Sequence, residues 1–242
     1  MKLEDKINAF AALGDKISLL TNSEMEDIGK RAANLNPWFT LNSVTTALSG
    51  LTHFLKKGTL LAWTAQYPIE QQKSKNIGVA MAGNIPLVGF HDLLCILICG
   101  HTLIAKKSSQ DSYLIDLLTN WLLEIEPRFK SYLRFEERLN GVEAVIATGS
   151  DNTSRYFEYY FRKIPHIIRK NRTSCAVLMG EESPESFLEL GKDVFTYFGL
   201  GCRNVSKIYV PEDFNIPDLL NAWQPYESII DHHKYANNYD YQ

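Results

Sequence analysis

Cys202 lies in the stretch Gly199-Leu200-Gly201-Cys202-Arg203-Asn204. Glycines let a backbone turn sharply and leave room for a substrate to approach. An adjacent guanidinium favours the thiolate, the nucleophilic form of cysteine. The residue types permit covalent catalysis by a thiol, and they equally permit a small buried hydrophobe, a common state of free cysteine. Asn84 follows Gly83. Its amide could donate to a developing oxyanion or cap a turn. Lys106 and Lys107 are adjacent cations that suit phosphate or plain solvent. Gly149-Ser150 precedes a helical stretch, whose first amides favour an anion. No GxGxxG fingerprint occurs, and no nucleophile elbow supports a Ser-His-Asp hydrolase.

The remaining reactive side chains read as packing. Cys95 and Cys99 are one helical turn apart, but they sit among Leu93, Leu94, Ile96, Leu97 and Ile98. No pair of His or carboxylate residues completes a metal site with them. Cys175, in an apolar run, reads as core. His91 reads as a satisfied core histidine, and His232-His233 as surface or packing residues.

Elements must bring the candidate residues together. Residues 1–75 read as a helical segment. Ser23 with Glu26 gives a capping-box pattern, Thr40 or Asn42 a second cap, and Gly58 an interruption. From Asn76 the pattern changes to strand (Ile77–Ala82), helix (Leu87–Cys99, with Pro86 in its first turn and Gly100 as its stop) and strand (Thr102–Ala105). It continues as helix (Tyr113–Leu123), strand (Val142–Ala147) and helix (Asn152–Phe161). This alternation predicts an α/β fold with a doubly wound, mostly parallel sheet. Ligands bind such sheets at the carboxyl ends of the strands. The loops there are Gly83-Asn84, Lys106 to Ser109, and Thr148 to Ser150. A second block has strands at Ser174–Leu178 and Ser206–Val210 and a helix at Pro184–Phe198. The expected organisation is an N-terminal helical segment (1–75), a dinucleotide-binding region (76–170) and a partial catalytic α/β region (171–242).

The chain has 242 residues, enough for a real core. A 45% hydrophobic and 22% charged composition is ordinary for a folded soluble protein. A net charge of −3 gives no field that argues for nucleic acid. The apolar run Ile85–Gly100 is too short to span a bilayer, and the N-terminus lacks a secretory pattern. The four cysteines show no CxxC pair. Together these features predict a cytoplasmic protein with free thiols.

Four segments together resemble the LuxC-like acyl-CoA reductase family, a branch of the aldehyde-dehydrogenase superfamily. They are AGNIPLVGFHDLLCILICGHTLIAKKSS, IATGSDNTSRYFEYYF, PHIIRKNRTSCAVL and YFGLGCRNVSKIYVP. The resemblance implies an aldehyde-dehydrogenase-like fold and reduction of an acyl-CoA, or a related acyl-carrier thioester, to an aldehyde. It implies that Cys202 is the nucleophile and that the Asn84 amide stabilises the oxyanion. Met81, Ala82, Gly83, Lys106, Lys107, Ser109, Gly149 and Ser150 fall at its cofactor site.

Two departures refine the expectation. Most aldehyde dehydrogenases carry a water-activating glutamate upstream of the cysteine, and His166–Val177 holds none. Its absence fits reduction better than oxidation to an acid. Many NAD-using relatives also place a ribose-binding glutamate where this chain has Ser109. Without that carboxylate a 2′-phosphate is not repelled, so NADPH is expected over NADH. The family's members are longer, so the catalytic region is expected to be incomplete at its C-terminus. A catalytically incomplete binding or assembly protein is the rival reading. A homo-oligomer is compatible with either.

Overall fold

The computed structural model describes residues 1–69 and 73–241. Residues 70–72 of the expected N-terminal segment and residue 242 lie outside the described residues. The chain forms two compact units, Met1–Lys170 and Asn171–Gln242.

The first unit opens with four helices: α1 (Leu3–Ser18), α2 (Asn22–Leu35), α3 (Leu41–Phe54) and α4 (Lys57–Thr64). In α1 the buried Ile7, Phe10, Leu13 and Ile17 recur at helical spacing, so one face is apolar. Phe10 meets Phe90 edge-on with ring centroids 6.4 Å apart and Phe129 at 5.5 Å, which joins this layer to the core of the sheet region. The expected cap at Thr40 is present, accepting from the Ser43 N–H at 3.2 Å. The capping box forms two residues earlier than expected. Thr21 accepts from the Glu24 N–H at 3.3 Å, and Glu24 accepts from the Thr21 N–H at 2.8 Å. The same spacing occurs twice in Thr21-Asn22-Ser23-Glu24-Met25-Glu26, and the earlier cap yields the longer helix. Gly58 does not interrupt. It sits in the first turn of α4, where the helix has few intrahelical bonds to lose.

Five parallel strands follow in the order β3-β2-β1-β4-β5. They are β1 (Asn76–Ala80), β2 (Thr102–Lys106), β3 (Leu133–Phe135), β4 (Ala144–Thr148) and β5 (His166–Arg169). The central residues of β1 and β2 are buried throughout, as expected of strands covered on both faces. The intervening helices are α5 (Phe90–Ile98), α6 (Ser112–Ile125) and α7 (Asp151–Phe161). Gly100 stops α5 as expected. It has φ +81°, and the His101 N–H reaches back to the Ile96 carbonyl at 3.1 Å.

Helix α5 starts at Phe90 rather than Leu87. Leu87 has φ +61°, outside helical space, so Pro86 belongs to a turn. His91 is exposed rather than core, and its ring lies beside Phe54 of α3 with centroids 6.1 Å apart. The neighbouring Asp92 is buried and receives Arg169 Nη1 from β5, with both carboxylate oxygens at 2.8 Å.

The second unit contains β6 (Ser174–Val177), β7 (Val205–Tyr209), α8 (Pro184–Phe195), α9 (Ile216–Ala222) and α10 (His233–Asp240). β6 and β7 pair in parallel. Leu178, Phe187 and Leu219 form its small core, with Ile208, Phe214 and Trp223 packed around them. Cys175 is exposed, not core. Strand alternation puts it with Val177 on the face away from Leu178. Helix α8 ends at Phe195, because Tyr197 and Phe198 have φ +54° and +58° and break the helix before its expected end. Among the described residues no helix is long and apolar enough to cross a membrane, and no cluster of His, Cys, Asp and Glu could hold a metal.

Candidate functional site

The register of the first unit levels the ends of its central strands. Ala80 at the end of β1 faces Lys106 of β2 on one side and Ala147 of β4 on the other. The ladder runs slightly further, with the Met81 N–H donating to the Lys106 carbonyl at 3.0 Å and the Gly149 N–H to the Arg169 carbonyl at 3.2 Å. The loops Met81–Asn84, Lys107–Asp111 and Gly149–Ser150 therefore leave the sheet at one height. They flank the point where chain order reverses between β1 and β4, the usual ligand crevice of an open α/β sheet.

Close packing defines the crevice. Gly83 is buried, and a Cβ there would lie 2.6 Å from Ser108 Cβ and 3.2 Å from Asp111 Cβ. The first two loops thus touch where only backbone fits. Met81 is buried against Gly89, which leaves its backbone, not its side chain, for a ligand. Ala82 is half-buried, and Asn84 and Ser109 are exposed.

The two lysines have different partners. Lys107 Nζ lies 2.6 Å from both Asp116 carboxylate oxygens and 4.7 Å from the centre of the Phe135 ring. Lys106 is more exposed and lies 4.0 Å from Glu137. Lys106 is the better phosphate or hydroxyl contact of the two, because the charge of Lys107 is already compensated. Ser150 caps α7, accepting from the Thr153 N–H at 3.4 Å. The other amides of that first turn form an anion-favouring end.

A nicotinamide dinucleotide fits these residues. The close packing at Gly83 brings the first two loops together at the strand ends, the α7 N-terminus suits a pyrophosphate, and Lys106 supplies a cation.

Two anchoring residues are not foreseen from the sequence. Asp111 is 3% exposed, and its Oδ2 accepts from the Leu87 N–H at 2.6 Å. Burial pushes its carboxyl up to about 7, against the lowering effect of that hydrogen bond. An aspartate directly before a helix reads as an N-cap, yet its side chain makes no capping bond to α6. The other is Asn204 of the second unit.

In that unit Cys202 is exposed in a turn between α8 and β7. Tyr197, Phe198 and Gly199 all have positive φ, so the chain leaves α8 through three left-handed residues. Asn204, 8% exposed, fastens the turn. Its Oδ1 accepts from the Gly201 N–H at 2.7 Å, and its Nδ2 donates to the carbonyls of Asp193 at 2.8 Å and Thr196 at 2.9 Å. The Asn204 N–H also donates to the Gly201 carbonyl at 3.0 Å. The result is a thiol offered to solvent on a tightly held loop. The sequence signal was a polar residue two places after the cysteine at the edge of an apolar strand.

No protein-family model and no curated protein matches the sequence. Solved structures do match. An aldehyde dehydrogenase from Bacillus cereus, in complex with NAD+, superposes with a TM-score of 0.69 over 93% of this chain and 50% of its own, at 15% identity. The glyceraldehyde-3-phosphate dehydrogenase GapN from Methanocaldococcus jannaschii, complexed with NADP, gives 0.70 over 92% and 53% at 12% identity. The NADP-dependent glyceraldehyde-3-phosphate dehydrogenase from Bacillus halodurans gives 0.69 over 93% and 52%, also at 12% identity. The chain has the aldehyde-dehydrogenase-like fold and spans about half the length of these structures.

Proposed function

We propose that the chain carries the cofactor region and the nucleophile of an acyl-thioester reductase of the LuxC-like kind, using NADPH in preference to NADH. The observation that carries this reading is the exposed Cys202 thiol on its Asn204-fastened loop, in a chain of aldehyde-dehydrogenase-like fold. The absence of any Asp or Glu from His166–Val177 supports reduction over acid formation, because no carboxylate stands there to activate water. NADP in two of the matched structures supports the cofactor, as does the neutral, exposed Ser109.

In this reading the Cys202 thiolate attacks the carbonyl carbon of the thioester. The Asn84 amide stabilises the oxyanion. Collapse of the adduct expels the donor thiolate, which takes up a proton, and leaves an acyl-cysteine. Gly83, Lys106 and the α7 N-terminus with Ser150 hold the dinucleotide. When bound, it supplies the hydride that converts the acyl carbon to aldehyde level. Cys202 then departs as thiolate, ready for another acyl group.

Intact-protein mass spectrometry after mixing with acyl-CoAs of several lengths tests this. A single adduct on Cys202, absent from Cys202→Ala and discharged as aldehyde by NADPH, is expected. An adduct that persists in Cys202→Ala refutes the assignment of the nucleophile.

A further inference from the structure

We infer that Asp111 is the positioning residue for Asn84: its carboxylate captures the Leu87 amide and so fixes the turn that carries Asn84. The inference rests on the reading of Asn84 as oxyanion donor.

The turn is under strain. Leu87 has φ +61°, a left-handed region that residues with a Cβ avoid for steric reasons. Such a conformation persists only where its surroundings over-determine it. The visible determinant is Asp111 Oδ2, 2.6 Å from the Leu87 nitrogen. Two weaker bonds complete the turn, Val88 N–H to the Ile85 carbonyl at 3.4 Å and Phe90 N–H to the Leu87 carbonyl at 3.0 Å. Neither of these reaches outside the segment.

The carboxylate is costly where it stands. Asp111 is almost fully buried, and its Oδ1 has no partner among the described residues. A buried acid with one oxygen unpaired costs the fold stability, and the bond to the Leu87 amide is what this one does there. Helix capping is not its role, since no side-chain capping bond forms.

The loop beneath Asp111 is itself fixed, which makes the residue a firm post. Asn36 Nδ2 donates to the Gln110 carbonyl at 3.3 Å, and the Gln110 N–H donates to Ser108 Oγ at 3.2 Å. Lys107 is tied to Asp116 of α6. Gly83, one residue before Asn84, packs directly on Ser108 and Asp111. The turn after β1 is thus pressed on this loop at one end and hydrogen-bonded to it at the other.

Four proteins test the inference: Asp111→Ala, Asp111→Asn, Asn84→Ala and the double variant Asn84→Ala with Asp111→Ala. Asparagine keeps a carbonyl oxygen for the Leu87 N–H and alanine does not. Two readouts are taken on each, the single-turnover rate of Cys202 acylation by an acyl-CoA, and hydrogen–deuterium exchange of the peptide spanning residues 84–90. Asp111→Ala is expected to slow acylation about 10- to 100-fold, the usual effect of a misplaced catalytic group, and to speed exchange in that peptide. Asp111→Asn is expected to restore both. In the Asn84→Ala background, removal of Asp111 is expected to slow acylation no further, because the group it positions is gone. A full additional loss in the double variant, or unchanged exchange in Asp111→Ala, overturns the inference. A wild-type chain that accepts no acyl group removes the reductase reading alone, and the exchange comparison then decides the clamp.

Discussion

Replacing Asn204 by alanine should loosen the loop that presents Cys202. Three good hydrogen bonds are lost, one accepted from Gly201 at 2.7 Å and two donated to Asp193 and Thr196 at 2.8 and 2.9 Å. The bond toward Val194, at 3.5 Å, adds little. Intramolecular hydrogen bonds contribute about 1 kcal/mol each on balance. Water can reach an adjacent surface turn and recover part of that, so a loss of about 2–3 kcal/mol is expected. For a chain of this size the matching fall in melting temperature is about 4–12 °C. Asn204→Asp is the sharper probe. It preserves the acceptor for Gly201 but sets a carboxylate against two carbonyl oxygens. It should be at least as destabilising as alanine at pH 7, and should recover partly as pH falls and the carboxyl protonates. Urea denaturation of both variants at pH 7 and pH 5 measures this, and the rate of Cys202 alkylation follows the loop itself. An Asn204→Asp protein within about 0.5 kcal/mol of wild type at pH 7, the scatter of ordinary surface changes, would refute the claim that this amide donates to the end of α8.

Other outcomes follow from the strand-end loops. The Asp111 carboxyl is raised to about 7 from 3.8, so between these values the folded chain holds a proton that the unfolded chain has released. Stability should therefore fall as pH rises from about 4 to about 7, by up to about 1.4 kcal/mol per unit, and Asp111→Asn should flatten that slope in urea titrations. Gly83→Ala places a methyl group on Ser108 and Asp111. It should cost about 1–3 kcal/mol by overpacking, and calorimetry should show weaker NADPH binding. Lys106→Ala should weaken NADPH binding more than Lys107→Met does, because the Lys107 ammonium is already held by Asp116. Equal losses of affinity in the two variants would contradict that division.

The parts of the fold legible in the sequence are those set by local patterns. β1, β2, β4 and β6 are short apolar runs between turn residues, and β7 is a short run with β-branched and aromatic residues at its ends. Gly100 marks the end of α5, and Thr40 the start of α3, because φ > 0 and N-capping are decided within a few residues. β3 and β5 are hidden, being three or four residues long at the sheet edges and containing Arg134, His166 and Arg169. Their pairing depends on a neighbour already in place, which propensity does not record.

The same division runs through the candidate site. Cys202, Asn84 and Lys106 stand out by type and by position at loop or strand ends, whereas Asp111 and Asn204 do not. Asp111 lies 24 residues from the amide it captures, and it looks like a helix cap until the fold bends Leu87 toward it. Asn204 acts on carbonyls freed where α8 ends, and that end is set by two left-handed aromatic residues. Residues that would do chemistry are visible one at a time. The residues that hold them in place act only through the folded backbone. A search for function in such a chain gains most by asking which buried polar side chains bind the backbone of the loops that carry the reactive groups.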